Sequence, residues 1–280
     1  MEKGCLICGS ELVYSGTAKK MECAICHRFF MSEACCIKGH YVCDDCHTRG
    51  MDEIIGICMK SSSKDPLHIM EELMDQPFCH MHGPEHHVMV GASLLTAYNN
   101  AGGDIDLESA LNDIFDRGRK VPGGTCGYWG ACGAGLSAGM FVAIVTGSTP
   151  MKEEPFGLAH RITSEIFGKI AEIGGPRCCK RDSYIAIGIA VRFCEEYLGV
   201  EMAESRARCS RYSLNQQCIG DRCLFRNRGF SFFYANTRLH VSRNEPGPLI
   251  AARVKGFGYR FDLRGPVRLR TTSPSCCTPA

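Results

Sequence analysis

The stretch Gly123-Gly124-Thr125-Cys126-Gly127-Tyr128-Trp129-Gly130-Ala131-Cys132-Gly133-Ala134-Gly135 combines six glycines with two cysteines and the only tryptophan of the chain. Glycine lets the backbone approach another group closely or adopt a positive φ angle. Cysteines in such a setting suit a metal ion, a cluster or a reactive sulfur. We therefore predict that other cysteine and histidine segments converge on this stretch. Cys126 and Cys132 would belong to the site, and Trp129 would be a packing anchor or a pocket wall.

An uncharged run from Tyr128 to Thr146 overlaps this stretch and is nearly long enough to span a bilayer. Its small residues, such as Gly135 and Gly139, would also suit the packing of two membrane helices. We favour a helix buried in a soluble core, because the run is rich in Gly and Ala, starts in a cysteine loop and has no second spanning segment of similar quality. No membrane partner is therefore expected.

The composition indicates metal chemistry in a reducing compartment. A chain of 280 residues can form one sizeable core plus a small module, and a net charge of +2 argues against a general polyanion binder. The first residues, Met-Glu-Lys-Gly-Cys, lack the apolar segment of a secretory signal, so we expect a cytoplasmic protein. The 20 cysteines are then expected as metal ligands or redox thiols rather than disulfides, which suits an anaerobic cytoplasm.

Residues 1–50 are predicted to form a small zinc-binding module. Two cysteines across a tight two-residue turn can grip one tetrahedral ion, and two such pairs complete its coordination. The pattern supplies enough ligands for two zinc ions: Cys5, Cys8, Cys23, Cys26, Cys36, His40, Cys43 and Cys46. A module this short cannot bury enough apolar surface by itself, so the metal would supply much of its folding free energy.

Two arrangements of these ligands are compatible with the spacing. In the sequential arrangement, the first two cysteine pairs share one ion, and Cys36, His40, Cys43 and Cys46 share the other. In the cross-brace arrangement, the pairs are interleaved along the chain. The spacing does not decide between a zinc ribbon and a cross-brace. A rubredoxin-type iron site uses similar pairs and is the less favoured alternative.

Residues 51–225 are predicted to form an all-α domain, which makes the fold class mainly α. Apolar residues recur there at intervals of three and four, and Pro, Asp and Gly mark the helix ends. Helices are expected to begin at Asp65-Pro66, Pro84, Asp106, Pro155 and Asp182, and the last one to end at Gly199. Over residues 226–280 the periodicity disappears and arginine dominates. We expect this Arg-rich tail, with Cys276 and Cys277, to be poorly ordered, and assign it no function.

Two further segments are predicted to join Cys126 and Cys132 in one site. The first is dense in soft or borderline ligands, which favours a metal or proton-transfer site: Cys79, His80, His82, His86 and His87. His82 and His86 are expected to face the same point. Glu85 would be a further ligand or would complement the helix dipole.

The second segment is Arg177-Cys178-Cys179-Lys180-Arg181, just before a predicted helix. A helix N-terminus and neighbouring cations both lower the pKa of a thiol. We therefore expect Cys178 and Cys179 to be cluster ligands or exchange thiols. Arg177, Lys180 and Arg181 would stabilise thiolate or attract an anionic substrate. Further along, Cys209, Cys218 and Cys223 would close another metal site or add ligands to the central one.

The chain resembles a known family at three long motifs. They are His82-Gly-Pro-Glu-His-His87, then Val121-Pro-Gly-Gly-Thr-Cys126-Gly with Trp129-Gly-Ala-Cys132-Gly, and Gly174-Gly-Pro-Arg-Cys-Cys-Lys-Arg-Asp-Ser183. Over about residues 1–225 the chain is similar to DUF5714, a domain family of unknown function. The resemblance implies a cysteine-based metal or redox role in anaerobes, with a redox protein, a methyltransferase or a radical-SAM protein as partner. A fainter similarity links the chain to redox-active proteins named for a C-GCAxxG-C-C motif.

We therefore predict a metal-binding redox or sulfur-handling protein. Zinc would bind in the N-terminal module, and an iron–sulfur cluster or another thiophilic metal in the helical domain. The alternative is a non-enzymatic adaptor that zinc stabilises. Nucleic-acid binding through the module is disfavoured, because few basic or aromatic residues align there for it. We find neither a methyltransferase glycine loop after a strand nor a radical-SAM cysteine loop, and the sequence leaves open whether the protein is an enzyme.

Overall fold

The computed structural model of the protein describes residues 4–226. It begins with a two-stranded antiparallel sheet, in which β1 (Leu12–Glu22) pairs with β2 (Phe29–Cys36). The register sets Leu12 opposite Cys36 and Glu22 opposite Phe29. The residues before β1 and after β2 therefore lie at one end of this hairpin, and the turn between the strands lies at the other.

Helices dominate the rest of the described chain. Their bounds are α1 (Asp44–His47), α2 (Glu53–Lys60), α3 (Pro66–Met74), α4 (His86–Asn100), α5 (Leu107–Gly118), α6 (Thr125–Tyr128), α7 (Gly133–Val145), α8 (Glu153–Ile173) and α9 (Cys179–Phe193). A π-helical turn continues α9 over Cys194–Leu198, and 3₁₀ turns follow at Tyr212–Leu214 and Gly220–Arg222. The mainly α fold class is thus confirmed. The division of the chain at residues 50 and 225 stays a prediction.

Local sequence explains where several helices begin. Asp65 caps α3 by accepting a hydrogen bond from the backbone N–H of Leu67, and Pro66 takes the first helical position. Asp106 caps α5 in the same way, with the N–H of Ser109 as donor. These short polar side chains satisfy N–H groups that have no partner inside the helix.

The start of α9 differs from the expectation, whereas its end agrees with it. Cys178, and not Asp182, is the N-cap residue, and its Sγ accepts a hydrogen bond from the backbone N–H of Arg181. Asp182 therefore lies inside the first turn, where its carboxylate makes contacts with other side chains instead. Gly199, at a φ angle of 66°, terminates the π-helical turn as predicted.

The hydrophobic core is built around α4. All its residues from His86 to Tyr98 are buried, and the helix packs against α3, α5, α7 and α9. A helix that is covered on all sides does not show the one-sided apolar stripe of a surface helix. Cys58 and Cys194 are fully buried in this core.

The uncharged run forms α7, and its small residues bring it close to α8. A Cβ atom at Gly135 would lie 2.5 Å from the ring of Phe167, and one at Gly139 would lie 2.2 Å from Thr163 Oγ1. Within residues 4–226, no helix combines the length and the apolar character needed to cross a bilayer. The prediction of a poorly ordered tail falls on residues that lie, apart from Arg226, outside the described range.

Candidate functional site

The predicted ligands of the N-terminal module form two groups, which lie at opposite ends of the hairpin. One group holds Cys5, Cys8, Cys36 and His40, and the other holds Cys23, Cys26, Cys43 and Cys46. In each group the ligand atoms all lie within 4.8 Å of one another. Since the pairs alternate along the chain, the arrangement is the cross-brace and not the sequential one.

Distances within both groups fit one tetrahedral ion each. A zinc ion with bonds of about 2.3 Å to sulfur holds two sulfur ligands about 3.8 Å apart. Cys8 Sγ lies 3.9 Å from Cys36 Sγ and 3.3 Å from His40 Nδ1. In the second group, Cys26 Sγ lies 3.7 Å from Cys43 Sγ. The two groups can therefore each hold a metal ion.

Hydrogen-bond donors near these sulfurs favour the ionised thiolate that a metal requires. Hydrogen bonds with Ser10 lower the pKa of Cys8 to about 6. Burial raises the pKa of Cys23, but backbone N–H groups, including those of Cys26 and Cys43, outweigh it and bring the value down to about 6. Each group thus has at least one cysteine whose thiolate is favoured, as metal binding requires.

The module packs on the helical part through α1 and the glycine stretch. Asp44 Oδ2 accepts a hydrogen bond from the backbone N–H of Gly123 at 2.9 Å, and Tyr128 Oη donates to the Ser15 carbonyl at 3.3 Å. A stacked contact lies beside them, with Arg177 Cζ 4.9 Å from the centre of the Tyr14 ring. The glycine stretch therefore forms one wall between the two parts of the molecule.

Several residues of the histidine-rich segment contact one fully buried lysine, Lys180. Lys180 Nζ donates hydrogen bonds to Cys79 Sγ at 2.8 Å, to the His80 carbonyl at 2.8 Å and to His86 Nε2 at 3.0 Å. Cys79, Glu85 and His86 form a third group with ligand atoms within 4.8 Å. Lys180 already supplies there the positive charge that a metal ion would bring, so this group suits a metal less than the other two.

The charges of this cluster follow from burial and from its neighbours. Burial and then Lys180 lower the pKa of His86 to about 4, so its imidazole is neutral at pH 7. Burial also raises the pKa of Cys79 to about 11, although Lys180 opposes the shift. Burial acts against ionisation of Glu85, but His47 and His86 outweigh it and hold the pKa of that carboxyl well below its ordinary value. Glu85 is therefore an anion that contacts His47, His86 and the backbone N–H of His80.

A cleft of about 700 Å³ lies beside the glycine stretch, and we refer to it as the thiol cleft. Cys126 and Cys132 line it, together with Arg177 and Asp182. Cys132 Sγ donates to Asp182 Oδ2 at 3.7 Å, and Arg181 Nε donates to Asp182 Oδ1 at 2.9 Å. A buried carboxylate thus faces the Cys132 thiol and is held in place by a guanidinium group.

Burial controls the protonation of this pair. It raises the pKa of Cys132 to about 12, and Asp182 adds to the effect. It also raises the pKa of Asp182, against the opposing influence of Arg181. The neutral Cys132 thiol thus donates to the carboxylate and keeps a proton that can be released when a cation or an electrophile approaches the sulfur.

A second cavity, of about 370 Å³, lies between the module and the helices and shares Cys126 and Arg177 with the thiol cleft. Cys179 and His82 line it, and Trp129, which is 68 % exposed, stands at its rim. We refer to it as the interface cavity. The structure thus brings Cys126, Cys132 and Cys179 to two adjoining spaces. His86 is not among them, because it faces Lys180 instead.

His82 has a defined tautomer in this setting. Asn215 Oδ1 accepts a hydrogen bond from the backbone N–H of Gln217, so His82 Nε2, 3.1 Å from the same oxygen, is the donor. Its Nδ1 then carries a lone pair and is buried with no hydrogen-bond partner among residues 4–226. Burial lowers the pKa of His82 to about 3, with Arg177 adding to the effect. A neutral imidazole with an unused lone pair can bind a metal or accept a proton.

Cys178 points away from both spaces. It lines a separate, enclosed cavity with Cys209, Cys218 and Cys223, which we refer to as the four-cysteine cavity. The predicted convergence therefore holds for Cys179 but not for its neighbour. The expected lowering of the thiol pKa is wrong as well, since burial raises the pKa of Cys178 to about 12.

Three contacts of this region escaped the sequence analysis: the bond of Cys132 to Asp182, that of Lys180 to Cys79, and the approach of His47 to Glu85. Each joins residues that are distant in sequence. Of these residues, only Asp182 had a sequence feature that could have indicated a role in the site, because it is an acidic residue next to a basic segment. Its position was explained more simply as a helix cap.

Comparison with known protein families gives a match to the helical part of the chain. The model of a protein family described as a family of unknown function, DUF5714, matches residues 54–226. No curated protein and no solved structure matches the chain. The family resemblance seen in the motifs is thus confirmed over the helical part, while the fainter similarity to the redox-active proteins stays a prediction. What the chain does must follow from its own geometry.

Proposed function

Because the chain belongs to DUF5714, a family of unknown function, we propose its function from its own chemistry: a metal-binding protein that performs redox or sulfur-handling reactions at the thiol cleft. One observation carries this proposal. Cys126 and Cys132 line a space of about 700 Å³ together with the cation of Arg177 and the carboxyl group of Asp182. This volume lies in the range of small-molecule sites.

Within this proposal, zinc in the N-terminal module has a structural role. Each of the two ligand groups of the module has four protein ligands. A tetrahedral site that is closed in this way leaves no position for a substrate. The described cysteines form no disulfides, which supports a reducing, cytoplasmic setting. The module would hold the β1 residue Tyr14 against Arg177 and so shape the wall of the thiol cleft.

Cys132 is the proposed reacting or metal-holding sulfur. Asp182 Oδ2 lies 3.7 Å from its Sγ and would take its proton, while Arg181 orients the carboxylate. The resulting thiolate can bind a thiophilic metal or attack a sulfur electrophile. Arg177 on the cleft wall would attract an anionic group of the substrate.

Cys179 and His82 extend this site into the interface cavity. The unused lone pair on His82 Nδ1 suits a metal ligand or a proton carrier. Cys179 lines the same cavity and is separated from Arg177 by one residue. A metal held there would be thiophilic, because sulfur and imidazole are its available ligands.

The test is a reaction with a small disulfide or persulfide donor under anaerobic conditions, followed by mass spectrometry of each cysteine. Cys132 is expected to carry the adduct faster than Cys35, a half-buried cysteine outside both metal groups. Asp182→Asn removes the proton acceptor and should slow modification of Cys132 by about tenfold, which corresponds to ~1.4 kcal/mol in the barrier. Cys35 is the internal control and should react at the same rate in both proteins.

Equal rates for Cys132 and Cys35, unchanged by Asp182→Asn, would contradict the proposal.

The same experiment also tests the alternative function as an adaptor, which the exposed apolar side chains on the module favour. Phe29, Met31 and Ile37 are 59 %, 67 % and 62 % exposed, and such groups of side chains mark interaction surfaces. An adaptor would bind two structural zinc ions and lose partner binding in Phe29→Ser without any reaction at Cys132. Its proposed partner is a redox, methyltransferase or radical-SAM protein.

A further inference from the structure

The four-cysteine cavity is closed by residues from two distant parts of the chain. Cys178 comes from the N-cap of α9, whereas Cys209, Cys218 and Cys223 come from the segment that follows Gly199. Between Gly199 and Arg226 the helical structure of that segment consists of two 3₁₀ turns, and the backbone N–H of Cys209 donates to the Phe225 carbonyl at 2.8 Å to close it on itself. Four thiols thus surround one enclosed space.

The spacing of these thiols excludes a preformed site for a single ion. One tetrahedral ion would hold its sulfur ligands about 3.8 Å apart. Over residues 4–226, three groups have ligand atoms mutually within 4.8 Å, and no three of the four cavity cysteines form one of them. A more widely spaced set of four cysteines fits a polynuclear centre, in which each thiolate binds a different iron atom.

The surroundings of the cavity favour a negatively charged occupant. Cys178 Sγ receives hydrogen bonds from the Arg181 backbone N–H at 3.5 Å and from Asn215 Nδ2 at 3.6 Å. Arg181 lines the cavity and is 3 % exposed, and its Nη1 has no hydrogen-bond partner in the described part of the chain. A buried guanidinium with an unused donor, beside four thiols, matches the N–H donors that stabilise the sulfurs of an iron–sulfur cluster.

Aromatic rings form part of the wall of this cavity. Tyr184 and Phe225 line it, with ring centres 5.2 Å apart. Its present volume of about 20 Å³ holds roughly one water molecule, so a cluster requires the segment with Cys209, Cys218 and Cys223 to move outward. That segment has little regular secondary structure to resist the movement.

We propose that Cys178, Cys209, Cys218 and Cys223 bind a [4Fe–4S] cluster in this cavity. The site shares Arg181 with the thiol cleft but none of its cysteines, and its existence does not depend on the proposed function. Binding consumes four iron ions and four sulfide ions, and the four thiols release their protons to the solvent as they ligate. Adjacent residues then face two centres, with Cys178 on the cluster and Cys179 at the interface cavity.

The test is anaerobic reconstitution of the full chain with sulfide and equal amounts of ferrous and ferric iron, which together have the average oxidation state of the resting cluster. We expect about four irons and four acid-labile sulfides per chain, with a broad visible absorption band. Cys178→Ser and Cys218→Ser should each lower sulfide at least twofold. Cys35→Ser, a half-buried cysteine outside the metal groups, is the matched control and should retain it. Zinc content and circular dichroism establish that each variant is folded.

Acid-labile sulfide separates the cluster from iron bound at the zinc groups, because a rubredoxin-type site contains none. Wild-type protein without bound sulfide would overturn the proposal, as would iron at one equivalent in the cavity. Equal loss of sulfide in Cys35→Ser and Cys218→Ser would overturn the assignment of ligands. Asn215→Leu keeps all four thiols and removes one N–H···S bond, so it should retain the cluster with a more negative reduction potential. An unchanged potential would contradict the proposed position of the cluster beside Asn215.

Discussion

Lys180 Nζ lies within 3.0 Å of three acceptors, Cys79 Sγ, His86 Nε2 and the His80 carbonyl, and is shielded completely from solvent. An ammonium group has three donors, and each of them is used here. The arrangement satisfies a charge that would otherwise be costly to bury. It also explains why a segment rich in metal ligands is built into the core without an open coordination position.

Replacing Lys180 should therefore destabilise the folded protein. Lys180→Met removes three hydrogen bonds and leaves the buried acceptors on Cys79, His80 and His86 unpaired, so we expect a loss of about 3–5 kcal/mol in the free energy of unfolding. Urea denaturation measures it. The control is Lys169→Met, whose ion pair with Glu172 is largely exposed and should contribute no more than about 0.5 kcal/mol. Similar losses in the two variants would show that the Lys180 contacts do not stabilise the fold.

The contacts and pKa values of individual side chains were the hardest properties to predict from the sequence. The pairing of Asp182 with Cys132 links α9 to the N-cap of α7, and no local pattern connects positions 50 residues apart. The thiol pKa of Cys178 was predicted in the wrong direction for a related reason. Charged residues next to a cysteine can be identified from the sequence. The burial that outweighs their effect on the thiol pKa depends on the whole fold.

At the scale of elements, α7 and α8 show what the small residues of the uncharged run do. Gly135 gives room to Phe167, and Gly139 gives room to Thr163, so two helices of one domain pack closely. The predicted helix was correct because its length and apolar content are local properties. The helix it packs against could not be identified, because packing partners depend on tertiary contacts.

This contact makes a clear prediction about glycine. In Gly135→Ala the new methyl group would meet the Phe167 ring and Ile166, so we expect a loss of about 1–3 kcal/mol. Gly168→Ala, on α8 with no atom near its added Cβ, should instead stabilise by about 0.5–1 kcal/mol through helix propensity. Thermal unfolding compares them. If Gly135→Ala were as stable as Gly168→Ala, the close approach of α7 and α8 would be refuted.

At the scale of the whole molecule, the module and the helical part are joined by contacts from residues near the second metal group. Asp44 and His47 lie beside Cys43 and Cys46, and they reach Gly123 and Glu85. The eight candidate ligands could be selected from the sequence, because the spacing of cysteine pairs is local. Their distribution between two ions could not, because it depends on the hairpin that brings the ends of β1 and β2 together.

Double substitutions distinguish the two arrangements directly. In the cross-brace, Cys8→Ser with Cys36→Ser affects one site only, and the protein should retain about one zinc ion, whereas Cys8→Ser with Cys26→Ser affects both sites and should retain none. The sequential arrangement places Cys8 and Cys26 on the same ion and predicts that their double variant keeps one. Elemental analysis of zinc per chain after desalting therefore decides. One zinc ion in the Cys8/Cys26 variant would refute the interleaved arrangement.

The interleaved ligands also impose an order on events during synthesis. The first group is incomplete until His40 has left the ribosome, and the second is complete only six residues later, at Cys46. Both ions can then be captured almost simultaneously, before α4 and its Glu85 have been made. The hairpin would then be folded around its metal ions while the helices with which it packs are still being translated. A nascent chain that stalls just short of Cys46 would hold one ion and expose the three waiting thiols of the other.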